Sequence, residues 1–458
     1  MQIINPATEA VIASIETDAP EIILTLYQTA RKSQPQWAKV PLKARIDAIR
    51  RFDALLEKNA DDLATTLTSE MGKPIWQSHN ELNGARARVQ YFIENSEKWL
   101  GEEWMTTDEM LGEKISYEPL GVIGNISAWN YPYLVGVNVF IPALIAGNAV
   151  LYKPSEYTTL TGLKIEQLLH EAGIPADIFQ VVTGGKEAGE AMLDLPLDGY
   201  FFTGSHKTGK YIYERVASKM VPCQMELGGK DPLYVTADNQ NIEQVAIAAV
   251  EGAFYNGGQS CCAVERIYVH KDVYKPFVEA FIAESAKWKV GDPMLKDTMI
   301  GPLVRKEQVT FLQQQVGRSL LKGARIVFGE ERWEGLGYFF IPTVVTDVNH
   351  TMRLMTEESF GPVIGIQKVK SDTEAVNLML DTQYGLTAAV YSDNYSHAEP
   401  ILAQMNTGTV YWNCCDRVSA RLPWSGRKHS GLGSTLSYHG IRAFVKPKAY
   451  HLRGKYQR

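Results

Sequence analysis

The sequence predicts an α/β protein with two doubly wound sheets of mainly parallel strands. Two series of short apolar runs alternate with helix-patterned segments, one starting at residue 122 and the other at residue 232. Alternation of strands with helices is typical of parallel sheets that helices cover on both faces. The length of 458 residues also exceeds one ordinary domain and fits two or three. Two α/β domains in one chain commonly form a cleft between them.

The first hundred residues are predicted to be mainly helical. After an extended Asn-Pro-Ala-Thr stretch, apolar residues recur at helical spacing across roughly residues 20–98. Residues 100–121 are polar and irregular, with a strand-like Lys114-Ile-Ser-Tyr, which indicates an excursion away from the main body. The chain therefore begins with a helical layer and a small strand-bearing extension.

The two alternating series supply the strands of the predicted sheets. These are Val122-Ile-Gly-Asn-Ile, Ala149-Val-Leu-Tyr, Ile178-Phe-Gln-Val-Val, Gly199-Tyr-Phe-Phe, Pro232-Leu-Tyr-Val, Glu265-Arg-Ile-Tyr-Val, Thr343-Val-Val and Thr387-Ala-Ala-Val-Tyr. The apolar segment from Tyr133 to Tyr152 is about as long as a membrane span, but Asn138 and Pro142 interrupt it. It is predicted to form a buried helix, a Gly-Asn turn and a buried strand, so no membrane partner is expected.

Charge and cysteine content exclude other classes of protein. The chain carries 46 basic and 52 acidic residues without a basic block, so no nucleic-acid partner is expected. Its five cysteines include two adjacent pairs, Cys261-Cys262 and Cys414-Cys415, and match neither a disulfide framework nor a metal site. A reducing compartment is predicted, here the cytoplasm, because no export signal is visible at the N-terminus.

A glycine-rich turn after a helix-patterned run carries the most suggestive cysteine. Apolar residues recur at helical spacing from Ile242 to Ala253, and Gly257 and Gly258 then supply the residue type that ends helices. Cys261 follows on this turn, where a rigid element can hold its thiol at the edge of a cleft. The alternative is a buried cysteine that acts as a small apolar side chain.

Three other predicted strand ends carry polar groups. Asn130 either donates to a developing oxyanion or organises the Asn-Tyr-Pro turn. Gly204 and Ser205 precede a helix, where free N–H groups bind an anion or Ser205 only caps the helix. Glu226 is either an ion-pair partner of Lys230 or a base whose pKa is raised by burial.

Taken together, these segments closely resemble the aldehyde dehydrogenase superfamily. The matching motifs, in chain order, are Trp-Asn-Tyr-Pro, Lys-Pro-Ser-Glu, Phe-Thr-Gly-Ser, Glu-Leu-Gly-Gly-Lys, Gly-Gln-Ser-Cys and Glu-Glu-Ser-Phe-Gly-Pro. The likeness spans nearly the whole chain. It implies a Rossmann-like cofactor domain (residues 1–99 and 119–228), a catalytic thiol domain (residues 229–430) and oligomerisation strands (residues 100–118 and 440–454), and hence a homodimer or homotetramer.

The resemblance implies oxidation of a small-molecule aldehyde to a carboxylic acid, with hydride transfer to NAD or NADP. Cys261 would form a thiohemiacetal and then a thioester, Asn130 would hold the oxyanion, and Glu226 would activate the water that hydrolyses the thioester. Relatives that acylate coenzyme A usually lack this glutamate. A non-catalytic protein that kept the fold would not need the three residues together.

For the cofactor, the resemblance points to NAD rather than NADP. Glu156 would accept a hydrogen bond from a ribose 2′-hydroxyl and repel a 2′-phosphate. A Gly-x-Gly-x-x-Gly motif after the first strand is missing. The residues that the resemblance implies at the cofactor are Trp129, Lys153, Glu156, Gly184, Gly204, Ser205, Glu358 and Phe360.

The residues expected around the substrate differ from those of two specialised groups in the family. Asn138 and Tyr255 replace the two arginines that clamp the distal carboxylate in succinic semialdehyde members. Tyr131 and Trp424 resemble part of the aromatic box around the cation of amino or betaine aldehydes. General aliphatic or aromatic aldehydes remain the preferred hypothesis, with amino or betaine-type aldehydes as the alternative.

Two segments depart from the family pattern. Ala128 stands where many members have proline, and Gly433-Ser-Thr-Leu-Ser-Tyr-His-Gly440 replaces the usual Gly-Arg-Glu-Leu-Gly. Neither segment is expected to touch the nucleophile or the base. Cys414 and Cys415 lie on the segment that lines the substrate entrance in relatives, where they either shape specificity or only pack.

Overall fold

A computed structural model of the chain describes residues 1–108 and 110–454. The helices are α1 (Pro20–Lys39), α2 (Leu42–Lys58), α3 (Ala60–Met71), α4 (Ile75–Leu100), α5 (Pro132–Ala146), α6 (Thr159–Glu171), α7 (Lys186–Asp194), α8 (His206–Val216), α9 (Ile242–Phe254), α10 (Tyr274–Ser285), α11 (Lys306–Leu320), α12 (Arg353–Thr356), α13 (Asp372–Leu380), α14 (Tyr395–Leu402) and α15 (Ser437–Arg442).

The strands form four sheets. They are β1 (Gln2–Ile4), β2 (Val11–Ser14), β3 (Glu103–Thr107), β4 (Leu111–Pro119), β5 (Val122–Ile126), β6 (Ala149–Lys153), β7 (Phe179–Val181), β8 (Gly199–Thr203), β9 (Cys223–Glu226), β10 (Asp231–Val235), β11 (Val264–His270), β12 (Arg325–Phe328), β13 (Thr343–Thr346), β14 (Val363–Val369), β15 (Thr387–Tyr391), β16 (Thr409–Trp412), β17 (Gly431–Leu432) and β18 (Val445–Arg453).

The first large sheet has the order β17-β9-β8-β5-β6-β7. Its five strands from β9 to β7 are parallel, and the two-residue β17 is antiparallel to β9. The chain winds outward from β5 in both directions, which is the doubly wound arrangement that the sequence predicts. Helix α4 packs in the same hydrophobic core through Leu82, Ala85, Val89 and Phe92, which recur at helical spacing and are buried.

The second large sheet has the order β12-β13-β14-β11-β10-β15-β16, and β12 alone is antiparallel to its neighbour. Two hydrophobic clusters contain opposite faces of its strands: Leu233 and Val235 of β10 lie in one and Tyr234 lies in the other. Side chains alternate between the faces of a strand, so helices cover this sheet on both sides. The predicted fold class is therefore confirmed.

The excursion and the C-terminus form a third sheet, with the order β18-β4-β3. Strand β18 pairs with β4 over its whole length, from Val445 opposite Pro119 to Arg453 opposite Leu111. The strand predicted at Lys114 is thus longer than the sequence indicates, and its partner lies more than three hundred positions away. Glu109 lies outside the described residues.

All eight strands of the predicted series are present, and no end differs from the prediction by more than one residue. The segment from Tyr133 to Tyr152 forms α5, a turn at Gly147 with φ of 96°, and β6, as predicted. Within residues 1–108 and 110–454, no helix has the length and apolar composition of a membrane span. The strand end predicted at Glu226 is the end of β9. The sequence does not predict β12, β14, β16 or β17, which are short, half-exposed or interrupted by polar residues.

Candidate active site

A cavity of about 1330 Å³ is lined by residues of both α/β domains. Part of its wall follows β5 and β8, the neighbouring strands at which the winding of the first sheet reverses. Ligands of open α/β sheets bind at such switch points. Ten predicted site residues line the cavity: Trp129, Asn130, Lys153, Glu156, Gly204, Ser205, Glu226, Cys261, Glu358 and Phe360.

A left-handed turn places the cysteine pair on this wall. Helix α9 ends at Phe254, and Asn256, Gly257 and Gly258 then have φ of 55°, 62° and 69°. A Cβ on Gly258 would lie 2.4 Å from the carbonyl oxygen of Gly361, so the turn requires glycine there. The reversal brings Cys261 to the cavity, where it is half-buried.

The second thiol of the pair has a different environment. Cys262 is buried and donates to Oδ1 of Asp416 over 3.0 Å, and the Ser260 hydroxyl donates to the same oxygen over 3.1 Å. A hydrogen bond with Cys261, followed by burial, raises the pKa of the Cys262 thiol well above its usual value. Cys262 is therefore held as a neutral thiol, which leaves Cys261 as the candidate nucleophile.

A hydrogen bond connects the side chain of Asn130 to the same turn. Its Nδ2 donates to the carbonyl oxygen of Gln259 over 3.1 Å. The backbone carbonyl oxygen of Asn130 accepts hydrogen bonds from Nζ of Lys73 at 2.8 Å and from Nδ2 of Asn256 at 3.2 Å. A carboxamide has two N–H donors, so one N–H of Asn130 remains for a ligand in the cavity.

Glu226 ends β9 and also reaches the cavity. Burial raises its pKa to about 7, an effect that the Thr435 hydroxyl and the charge of Arg88 partly offset. Lys230 instead forms an ion pair with Glu265 at 2.5 Å, so the predicted Glu226–Lys230 pair is wrong. A carboxyl group with this pKa changes protonation state near neutral pH, as a general base requires.

Thr435 corrects a second expectation. The Thr435 hydroxyl donates to Oε1 of Glu226, although the segment from Gly433 to Gly440 is expected from the sequence to touch neither the nucleophile nor the base. The contact forms because β17 brings the chain back antiparallel to β9, with Gly431 opposite Glu226. Residue spacing along the chain gives no signal for this return.

Three of the residues predicted at the cofactor, Trp129, Glu358 and Phe360, lie on one part of the cavity wall. The Trp129 and Phe360 rings meet edge to face, with centroids 5.4 Å apart. Oε1 of Glu358 accepts a hydrogen bond from the Gly229 N–H at 2.9 Å, and burial raises the pKa of Glu358 to about 8. The carboxylate of Glu265 accepts hydrogen bonds from the N–H groups of Ser359 and Phe360, which fixes this loop.

Lys153, Ser205 and Gly184 are also predicted at the cofactor, and the structure gives each a different environment. Lys153 is buried, and burial lowers the pKa of its amine. Ser205 caps α8 by accepting from the Thr208 N–H at 3.3 Å, so the capping alternative holds alongside any role in anion binding. Gly184 does not line the cavity, although its neighbour Gly185 does.

Of the Cys414-Cys415 pair, Cys415 packs in the core of the second domain. Among the described parts of the chain, no cluster of three or more His, Cys, Asp or Glu side chains has the arrangement of a metal site. The five cysteines are free thiols. Cys415 is buried, donates to the carbonyl oxygen of Ala248 at 3.5 Å, and does not line the cavity, so it packs in the core of the second domain.

The fold and the cleft define a class of two-domain α/β enzymes with a cysteine, a glutamate and an asparagine around one cavity. Residues 1–450 match the family model described as the aldehyde dehydrogenase family. The chain belongs to that family, and its activity is the NAD(P)-dependent oxidation of aldehydes.

The similar proteins extend over the whole chain. Aminoaldehyde dehydrogenase 2 of Zea mays is 32% identical over 98% of this chain and 91% of its own length. The solved structure of a betaine aldehyde dehydrogenase from Staphylococcus aureus, in complex with NAD⁺, has a TM-score of 0.94 and 29% identity, and covers 100% of this chain and 92% of that chain. An NADP-dependent enzyme of E. coli has a TM-score of 0.96 and 28% identity, with 99% and 94% covered.

Proposed function

We propose that this enzyme uses Cys261 as its nucleophile, Asn130 as an oxyanion donor and Glu226 as its general base. The observation that supports these roles is that three side chains from distant parts of the chain line one cavity. In this proposal, residues 1–99 and 119–228 bind the cofactor and residues 229–430 carry the thiol. Residues 100–118 and 440–454 serve assembly.

The first half of the reaction forms a covalent adduct. The Cys261 thiolate attacks the aldehyde carbon, and the carbonyl π electrons move to the oxygen. The remaining N–H of the Asn130 amide and the backbone N–H of Cys261 donate to that oxyanion. Loss of one such donor typically reduces the rate by about 10²–10³-fold.

The second half releases the acid. Glu226 removes a proton from water, the hydroxide oxygen attacks the thioester carbon, and the carbon–sulfur bond breaks to return the Cys261 thiolate. General-base assistance of this kind is worth roughly 10²–10⁴-fold. A pKa of about 7 suits this role, because the carboxylate is both populated and basic near neutral pH.

The cavity fits a dinucleotide cofactor. It passes the N-terminus of α8, where backbone N–H groups and the helix dipole suit a pyrophosphate. A side chain on Gly204 would clash with the ring of Phe202, so bare backbone faces the ligand there. When bound, the nicotinamide would supply the acceptor for the hydride that leaves the thiohemiacetal carbon, a loss that converts the adduct at Cys261 into the thioester. Lys153, Glu156, Ser205, Glu358 and Phe360 would hold the cofactor.

We expect NAD to be preferred over NADP. Glu156 lines the cavity and offers an acceptor for a ribose hydroxyl, whereas its charge repels a 2′-phosphate. Lys153 is the opposing influence, but burial disfavours its charged form. The ratio of kcat/KM with NAD to kcat/KM with NADP tests this preference, and a ratio below one contradicts it.

The names of the relatives favour a second substrate class. The maize and staphylococcal proteins are named for amino and betaine aldehydes. In this chain, however, Nζ of Lys73 lies 3.8 Å from the centroid of the Tyr131 ring, so a cation already occupies one face of that ring. The proposed aromatic box is therefore incomplete, and aliphatic or aromatic aldehydes without a cationic group are preferred to amino or betaine aldehydes.

The reaction class is tested by NADH formation. The purified enzyme is incubated with NAD and a panel of aliphatic, aromatic and amino aldehydes, and absorbance at the NADH band is followed. We expect stoichiometric NADH and carboxylic acid with at least one class. Cys261→Ala should abolish NADH formation, whereas Cys262→Ala should retain it. If both variants keep wild-type rates, Cys261 is not the nucleophile.

We propose a cytoplasmic homodimer or homotetramer. All five cysteines are free, which suits a reducing compartment. Strand β18 is an edge of the third sheet and is largely exposed, and a long exposed edge is stabilised by pairing with another chain.

A further inference from the structure

Arg88 is a buried cation on the cavity wall. It lies in α4, is 9% exposed and lines the cavity. Its Nη1 donates to the carbonyl oxygen of Leu134 at 3.1 Å and to Oδ1 of Asn138 at 2.9 Å. Both acceptors are neutral, so among the described residues the guanidinium has no hydrogen-bonded carboxylate to balance its charge. An unpaired buried charge is costly, which indicates that an anion completes this site.

The reacting groups lie within electrostatic reach of Arg88. Burial lowers the pKa of Arg88, and the negative charges of Glu226, Glu81 and an ionised Cys261 oppose that shift. Glu81 is already paired with Lys73, and its other oxygen accepts a hydrogen bond from the Tyr133 N–H. The hydrogen-bond donor to Glu226 is Thr435 rather than Arg88. Neither acid is therefore the permanent partner of the guanidinium.

The neighbouring residues leave Arg88 accessible from the cavity. Gly84 lies one helical turn earlier in α4, on the same face, and also lines the cavity. A Cβ added to Gly84 would lie 3.2 Å from Cδ2 of Leu134, so Leu134 packs against this glycine while Arg88 itself lines the cavity. Leu134 and Val135 add an apolar stretch of wall. An extended substrate bound covalently to Cys261 would therefore lie along an apolar wall that also presents the guanidinium of Arg88.

We infer that Arg88 is an anion subsite for the substrate, and that the enzyme prefers aldehydes with a carboxylate at the end remote from the carbonyl. This inference rests on the proposed function of the cavity. A guanidinium is planar and keeps several N–H donors after the two bonds of Nη1, so it can hold a carboxylate through two hydrogen bonds. The site is distinct from the two-arginine clamp, whose positions here hold Asn138 and Tyr255.

Asp416 is the group that favours the opposite charge. It also lines the cavity, but its Oδ1 already accepts hydrogen bonds from Ser260 and Cys262. Burial raises its pKa, which favours the neutral acid over the carboxylate. An amino aldehyde would need a charged Asp416, and its own cation would also be repelled by the charge of Arg88. An aldehyde that carries a carboxylate is therefore the better match for this cavity.

The test compares aldehydes of similar length and different charge. The wild-type enzyme with NAD is assayed with 5-oxopentanoate, pentanal and 4-aminobutanal. We expect kcat/KM for 5-oxopentanoate to exceed that for pentanal by about 10- to 100-fold, the range of a charge-assisted hydrogen bond. Arg88→Met should reduce the ratio of the two values by a similar factor, and Arg88→Lys by less.

Arg86→Met is the matched control on the same helix. Arg86 pairs with Asp53 and Glu57 outside the cavity, so its loss should leave the ratio unchanged. Preference of the wild type for pentanal or 4-aminobutanal overturns the inference, as does an equal loss with every aldehyde in Arg88→Met.

Binding of glutarate to Cys261→Ala, followed by thermal shift, tests the subsite without turnover. If no aldehyde yields NADH but glutarate still binds only when Arg88 is present, the proposed function fails and the subsite stands.

Discussion

The pKa of Glu226 is about 7, close to the neutral pH at which a general base must accept a proton from water. If Glu226 hydrolyses the thioester, a glutamine at this position blocks only the second half of the reaction. We therefore expect Glu226→Gln to release about one NADH per active site and then stall. Stopped-flow absorbance measures this burst. Glu214→Gln on the exposed face of α8 is the control and should turn over normally. A linear progress curve at the wild-type rate would remove Glu226 from this role.

Thr435 tunes the same carboxyl group. Its hydroxyl donates to Glu226 and so favours the carboxylate, against the burial that raises the pKa to about 7. The carboxylate is the active form, so activity falls as the pH drops through this value. Thr435→Val removes the donor, which raises the pKa and moves the acid limb of the kcat profile to higher pH by about one pH unit. Thr435→Ser keeps the hydroxyl and should match the wild type; an unmoved limb in Thr435→Val contradicts this account.

At the residue scale, local sequence predicts the groups that stand at strand ends and turns. Asn130, Glu226 and Cys261 each follow or end a segment whose apolar pattern is recognisable. Thr435 and Arg88 are not predicted, because their partners come from other parts of the chain: Thr435 meets Glu226 only through the return of β17. An arginine in a helix is normally expected to be exposed, and only the packing of α4 shows that Arg88 is buried.

The turn between α9 and Cys261 is the element that positions the thiol. Gly258 has φ of 69°, and an added Cβ would lie 2.4 Å from the Gly361 carbonyl oxygen. Gly258→Ala should destabilise the fold by about 2–4 kcal/mol, from the left-handed conformation and the clash. It should also change the rate at which iodoacetamide alkylates Cys261. Thermal unfolding and mass spectrometry measure the two effects.

Gly317 offers a matched control for this substitution. It lies in the last turn of α11, and a Cβ added there would meet no atom within 4 Å. Gly317→Ala should therefore stabilise the enzyme by about 0.5–1 kcal/mol and leave Cys261 alkylation unchanged. Equal stability of Gly258→Ala and the wild type would show that the turn tolerates a side chain.

The elements differ in how well the sequence predicts them. Strands such as β10 and β15 are buried on both faces and form apolar runs. β12 is half-exposed, and β14 contains Gln367 and Lys368, so their patterns are weak. The buried Lys230–Glu265 pair is not predicted either: it connects the start of β10 to β11 and fixes the loop that carries Glu358, a set of contacts between segments that no local pattern records.

At the scale of the whole molecule, the order of the strands explains why the site forms. Both large sheets are predictable from alternation along the chain, and a cleft follows from two such domains. The assembly of the cavity depends on long-range pairings, with β17 returning to the first sheet and β18 joining β4 across the chain. Neither pairing is predictable from periodicity, because the two residues of β17 are too few to show a period and a period in β18 would not identify its partner strand.

Two edges of the molecule are open to a second copy. Strand β18 ends the third sheet and β16 ends the second, where Val410 and Trp412 are 43% and 39% exposed. Exposed edges with apolar side chains favour pairing between chains.

We expect light scattering at micromolar concentration to give two or four times the chain mass. Val410→Lys places a charge on this edge and should shift the enzyme toward smaller species, whereas Val11→Lys, on the separate β1–β2 hairpin, should not. A monomer as the only wild-type species would exclude this mode of assembly, and activity of that monomer would show that the site is complete in one chain.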